Sequence, residues 1–169
     1  MNLFYWESNV PYKHTKFLAK HNKNQIWGDM YRSIVPQLKY GFLISIVGRR
    51  GCGKTQLGAC IIKYCCDNTK KPCHYTKVRT MFETMPPLLT YTEPHLLVLD
   101  NFEEMKKEWD MGVIEHIVDL RYDREKATLI LSNDTLVNFK NKLNPSIVDR
   151  MGEQGGIVEL DLPSFRQLS

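Results

Sequence analysis

The chain has 169 residues, 43% of them hydrophobic and 25% charged, with a formal net charge of +4. That is the composition of a globular protein, long enough for one domain with a single well-buried core. No apolar run approaches the roughly 18 residues of a membrane span, and the opening MNLFYWESNV lacks the basic flank and cleavage site of a signal peptide, so a cytoplasmic protein with no membrane contact is expected.

The first forty residues contain YKHTKFLAKHNKNQIW, which interleaves Lys13, Lys16, Lys20 and Lys23 with Tyr12, Phe17 and Trp27. One reading is a single-strand contact, with lysines tracking the backbone and aromatics stacking on bases. The other is a solvated amphipathic segment whose aromatics pack against the following core. The net charge permits contact with nucleic acid without demanding it.

FLISIV, residues 42–47, is a short β-rich apolar run with the character of a buried strand. It leads into GRRGCGKT, which fits G-x-x-x-x-G-K-[ST] at Gly48, Gly53, Lys54 and Thr55. Behind the loop, Leu57, Cys60, Ile61, Tyr64 and Cys65 recur at helical spacing. Strand, glycine loop and helix in that order form a phosphate cradle, because backbone N–H groups converge and the helix N-terminus adds its positive end. The expected nucleotide contacts are Gly48, Arg49, Arg50, Gly51, Cys52, Gly53, Lys54, Thr55 and Gln56. Lys54 would reach the β- and γ-phosphates of ATP and Thr55 would hold Mg²⁺. Arg49 and Arg50 either supplement the phosphate charge or face solvent.

Further along, CHYTKV (73–78) reads as a second strand, RTMFETM as a short helix, and PPLLTYTEP as a loop. HLLVLDN gives a third strand, ending in Asp100, the position at which a phosphate-loop enzyme places the carboxylate that orders Mg²⁺. FEEMKKEW is highly charged and reads as solvated. A longer helix follows, with Val113, Ile114, Ile117 and Val118 on its buried side. ATLILSN is a fourth strand ending in Ser132 and Asn133, TLVNFKNKL and PSIVDRM are short helices, and GGIVELDLP holds a fifth strand. Cys65, Cys66, Cys73 and His74 match no standard zinc spacing and read as reduced thiols in or near the core. Strands alternating with helices indicate a three-layer α/β domain with a mostly parallel five-stranded sheet.

Together the phosphate loop, LLVLDN, IVDLRYDREKATLILSND and NPSIVDRMGEQGGIVELDLPSFR resemble the ATPase domain of the DnaC/IstB group of AAA+ proteins, the helicase loaders and transposition helpers. The resemblance implies an AAA+ (ASCE) phosphate-loop NTPase with strand order 5-1-4-3-2 and little or no C-terminal lid. It implies one AAA+ domain over 1–169, made of an N-terminal basic and aromatic segment (1–40) and a core (41–169). It also implies that Asn133 is sensor 1, that Arg150 is an arginine finger reaching a neighbour's ATP, and that Arg166 is a sensor 2 residue. Lys54, Asp100, Asn133 and Arg150 are then the catalytic set, with Thr55 and Asp100 at the metal. Without the resemblance, Arg150 reads as an exposed helix residue paired with Asp149, and Arg121 and Tyr122 as packing or subunit contacts. The family's stretch equivalent to residues 1–40 covers the nucleotide base.

Two features depart from the family. Its glutamate after the Walker B aspartate is here Asn101. An amide cannot accept the proton of water, so weak hydrolysis and long-lived ATP-bound assemblies are expected. Glu103 and Glu104 lie past the strand end, in the stretch that reads as solvent-facing. Residues 1–40 also leave no room for the loaders' helicase-gripping domain. The expected function is a compact DNA-replication helicase loader or loader-like factor from a phage or mobile element. Its expected partners are a replicative helicase, single-stranded DNA and further copies of itself in an ATP-dependent oligomer. The alternatives are a non-hydrolysing nucleotide-dependent adaptor and an IstB-like transposition helper.

Overall fold

The computed structural model describes residues 5, 7–16, 24–105 and 108–166. Five strands form its centre: β1 (Leu43–Val47), β2 (Cys73–Lys77), β3 (Leu96–Asp100), β4 (Ala127–Ser132) and β5 (Gly155–Glu159). They form one sheet in the order β2-β3-β4-β1-β5, and every neighbouring pair is parallel. This is the expected order, read from the opposite edge. β1, β3 and β4 are buried along their whole length, as strands covered by helices on both faces must be.

Alternation along the strands divides the core in two. Ile44, Ile46, Leu96, Val98, Leu129 and Leu131 face one layer, and Leu43, Val47, Leu97, Leu99 and Ile130 face the other. The first layer is covered by α2 (Gln25–Ile34) and α3 (Lys54–Thr69), after a short α1 (Tyr12–Lys16). The second is covered by α4 (Val78–Thr84), α5 (Leu89–Thr92), α6 (Glu108–Tyr122), α7 (Leu136–Lys142) and α8 (Pro145–Gln154). Pro145 opens α8, where its missing N–H costs nothing.

Several local expectations are corrected. PPLLTYTEP contains the single turn α5, whose Tyr91 and Thr92 are buried. Tyr64 is exposed, because α3 lays Leu57, Ile61, Ile62, Cys65 and Cys66 on the sheet instead. The charged stretch after β3 holds a 3₁₀ turn, Phe102–Glu104, whose Phe102 is fully buried against Phe139 with ring centroids 5.3 Å apart. Val113 is only partly buried, whereas Ile114, Ile117 and Val118 are in the core as expected.

Arg121 is also fully buried, and it faces peptide carbonyls rather than an acid. Its guanidinium donates to the carbonyls of Tyr91, Pro94, His95 and Ala127 and to the Thr128 hydroxyl. Burial pulls its pKa down to about 9, which leaves it a cation at neutral pH. It ties the α5–β3 connection to the start of β4, so its role is packing. Among the described residues, no helix is long and apolar enough to cross a membrane, and no His, Cys, Asp and Glu group has metal-holding geometry. Cys65, Cys66 and Cys73 are buried and are not joined in disulfides, and the His74 ring meets Tyr91 edge-on.

Candidate nucleotide-binding site

The loop between β1 and α3 takes its shape from glycines. Gly53 is left-handed at φ 92° and caps α3, so the helix starts at Lys54 with its free N–H groups turned into the loop. Gly51, outside the fixed motif positions, is left-handed at φ 88° and lies so close to the Ser164 side chain that a Cβ would overlap it. Lys54 is buried, and its ammonium donates to the carbonyls of Gly48 (2.7 Å) and Arg49 (2.9 Å) beside the Cys52 sulfur (3.6 Å). A buried ammonium held by neutral acceptors is poised for an anion.

Asp100, at the end of β3, gathers three donors. Thr55 Oγ1 donates to its Oδ2 at 2.7 Å, Tyr75 OH to the same oxygen at 2.6 Å, and the Asn101 amide N–H to Oδ1 at 2.8 Å. Burial and the neighbouring carboxylate hold the Tyr75 phenol protonated, raising its pKa well above the usual range. Thr55 and Asp100 therefore meet, as the motif reading requires. Tyr75 was missed, because a tyrosine in a strand reads only as core.

Beyond Asp100 the chain turns sharply. Asn101 is left-handed (φ 57°, ψ 47°), a conformation that asparagine tolerates better than other side-chain-bearing residues. Its amide reaches Glu104 at 3.1 Å. The turn brings the Glu103 carboxylate across to the end of β4. There it accepts from the Asn133 backbone N–H (2.9 Å), the Asn133 side-chain amide and the Ser132 hydroxyl (3.4 Å). Glu103 is thus half-buried and engaged with the polar end of β4, correcting its reading as solvent-facing. The available signal was Phe102, an apolar residue amid charges that anchors the turn.

Two flanking segments close on the loop. From the N-terminal side, Trp27 donates its indole N–H to the Gly53 carbonyl, and His14 Nδ1 pairs with Gln56 Oε1 at 3.0 Å while Gln56 Nε2 donates to the His14 carbonyl. Burial above all lowers the His14 pKa, against the Gln56 hydrogen bond, and the charges of Lys13 and Arg166 push the same way. Trp27 is fully buried, so it packs and does not present its face to bases. Tyr12 and Lys13 are exposed, while the Lys16 side chain and Phe17, Lys20 and Lys23 lie outside the described residues. From the C-terminal side, the Phe165 N–H donates to the Gly51 carbonyl (3.0 Å), and Arg49 pairs with Asp161 at 2.6 Å across an exposed surface. Arg50 and Arg166 are exposed.

Arg150 stands apart from this cluster, on α8. It pairs with Asp119 at 3.1 Å and lies over the Tyr122 ring, 5.5 Å from its centroid. The expected alternative partner, Asp149, is replaced by a carboxylate on α6.

No family model and no curated sequence matches the chain. Solved structures do. The DnaC helicase loader superposes with a TM-score of 0.68 at 19% identity, over 92% of this chain and 97% of that one. The chain has the fold of a DnaC-like AAA+ domain. DnaI gives a TM-score of 0.65 at 18% identity over 79% of both chains. AMPPCP-bound DnaA from Aquifex aeolicus gives 0.66 at 20% identity, over 86% of this chain and 48% of that one. On this AAA+ frame, the phosphate loop, Asp100 and Asn133 all sit at the C-terminal ends of β1, β3 and β4. That is the edge where open α/β sheets bind ligands. The buried Lys54 ammonium and the Thr55–Asp100 pair suit a polyphosphate and a hard cation, so these residues fit ATP with Mg²⁺.

Proposed function

We propose that this chain binds ATP with Mg²⁺ and serves DNA replication as a compact AAA+ factor of the helicase-loader type. The observation that carries it is the convergence of Lys54, buried among loop carbonyls, with the Thr55–Asp100 hydrogen bond. Lys54 and the loop amides bind the phosphates, Thr55 and Asp100 hold the cation, and Asn133 orients water. The bound Mg²⁺ supplies charge neutralisation on the phosphates. Arg150 completes the site of a neighbouring copy in an ATP-dependent oligomer, and Arg166 reaches phosphate in its own subunit. A replication initiator DnaA is known bound to AMPPCP and single-stranded DNA. We extend single-stranded DNA and a replicative helicase to this chain as partners.

A second reading, a nucleotide-dependent adaptor that hydrolyses little, is favoured by the amide at Asn101. Titrating a fluorescent ATP analogue into wild type and Lys54→Ala tests the common core of both. Losing one partner of a desolvated charged contact costs a few kcal/mol, so affinity should fall roughly a hundredfold or more. Equal affinities would sink both readings. Capture of the purified replicative helicase by the ATP-loaded chain, but not by Lys54→Ala, then tests the loader role.

A further inference from the structure

We propose that Glu103 is the general base of ATP hydrolysis, displaced two positions from the place where an adjacent glutamate would stand. This rests on the ATP reading above. At Asn101 the left-handed backbone, with the side chain tied to Glu104, turns that residue out of the role. A glutamate substituted there would carry backbone strain that asparagine largely avoids. The same turn, pinned by Phe102 on Phe139, carries the Glu103 carboxylate across to the end of β4. Both of its oxygens are oriented by β4: one by the Asn133 side chain, the other by the Asn133 backbone N–H and the Ser132 hydroxyl. Ser132 is in register with Val47, the residue before Gly48, so the strand end that holds this carboxylate adjoins the strand that feeds the phosphate loop.

One Glu103 oxygen, Oε2, accepts from both the Ser132 hydroxyl and the Asn133 N–H, so the other, Oε1, held by the Asn133 side chain, offers the lone-pair direction for water. In the step proposed, the water oxygen bonds to the γ-phosphorus as the bond to the β–γ bridging oxygen breaks. ADP leaves with that electron pair, and the water's proton passes to Glu103 and then to solvent. Asn133 acts as a positioning residue through Glu103, a role separate from any contact it makes with phosphate.

The test is single-turnover hydrolysis of radiolabelled ATP by the full chain with Mg²⁺, paired with titration of the fluorescent analogue. Wild type should hydrolyse, and Glu103→Gln should slow the step roughly a hundredfold while affinity changes less than about twofold. Glutamine keeps an acceptor for the Asn133 N–H, and its NH2 can donate to the Asn133 side-chain oxygen once that amide turns over, so a purely structural tie would leave the rate nearly unchanged. Glu103→Asp, which retains the carboxylate at shorter reach, should fall between wild type and Glu103→Gln; Glu104→Gln should resemble wild type, and Asn101→Glu should gain nothing. A wild type that binds ATP without hydrolysing it overturns the proposal. So does a Glu103→Gln variant at wild-type rate, or an Asn101→Glu variant accelerated about tenfold or more. A wild type that fails to bind the analogue overturns the ATP reading itself, which is a distinguishable result.

Discussion

The indole of Trp27 donates to the carbonyl of Gly53, 3.2 Å away, so a fully buried side chain of α2 holds the residue that caps the phosphate-loop helix. Any movement of the loop on loading must be felt by this indole. Tryptophan emission should therefore change on ATP addition in a Trp6→Phe, Trp109→Phe background, which leaves Trp27 as the one tryptophan of the three. Trp27→Phe should abolish that response and lower stability by about 2 kcal/mol, from one lost hydrogen bond and the buried volume lost with the indole. A response unchanged by Trp27→Phe would show that the loop and α2 are uncoupled.

Arg150→Ala should leave the monomer intact. Its ion pair with Asp119 is partly exposed, and such pairs contribute about 1 kcal/mol at most. It should nonetheless remove ATP-dependent assembly and any stimulated turnover, since an arginine finger can be worth on the order of 10³ in rate. Mixing it with Lys54→Ala should restore partial activity, one subunit lending the guanidinium and the other binding ATP. Sedimentation and turnover across mixing ratios read this directly. No rescue at any ratio would leave Arg150 as a residue that only joins α8 to α6.

Arg121→Met should be among the most damaging substitutions in the chain. It removes the donors of four carbonyls and one hydroxyl in a dry site, a loss of about 3 kcal/mol or more. Urea denaturation should show a lower midpoint. ATP affinity of the remaining folded protein should be little altered, because Arg121 is remote from the phosphate loop.

Acid should destabilise the protein before its carboxylates titrate. Burial lowers the pKa values of His14, His74 and His95 below the usual 6.5. Their neutral forms belong to the folded state, so the unfolded chain binds more protons as pH falls through that value, and stability is lost. Glu93, held low by Lys126, and Glu115, held low by Ser146 and Asn144, contribute only below the usual 4.5. The urea midpoint should thus already decline between pH 7 and pH 5. His74→Gln should flatten that slope, and an unchanged slope would show that His74 is protonated at no cost.

The strands themselves and the meeting of Thr55 with Asp100 were legible because their signals are written locally, whereas the strand order came with the family resemblance. Leu96–Leu99 is an unbroken apolar run with a carboxylate at its end, and a strand buried on both faces has few other ways to appear. Position 103 was not legible in the same way. Local charge in FEEMKKEW argues for exposure, yet the side chain's place is decided by a backbone reversal at Asn101 and by one aromatic contact. Neither has a periodicity. Tyr75 and the Gly51–Phe165 contact were hidden for another reason: their partners are distant in sequence, and each residue alone looks ordinary.

The strand order also sets a timetable. β1 lies inside the sheet, but its two neighbours, β4 and β5, begin only at Ala127 and Gly155. As the chain leaves the ribosome, an apolar strand and its glycine loop emerge first and wait for most of the remaining sequence before either edge is paired. Such long-range parallel pairing is slow, and an unpaired apolar edge invites association with other chains. The segment that gives the site its chemistry is therefore also the one most exposed to aggregation during synthesis, and the cradle takes shape only when the sheet closes around it.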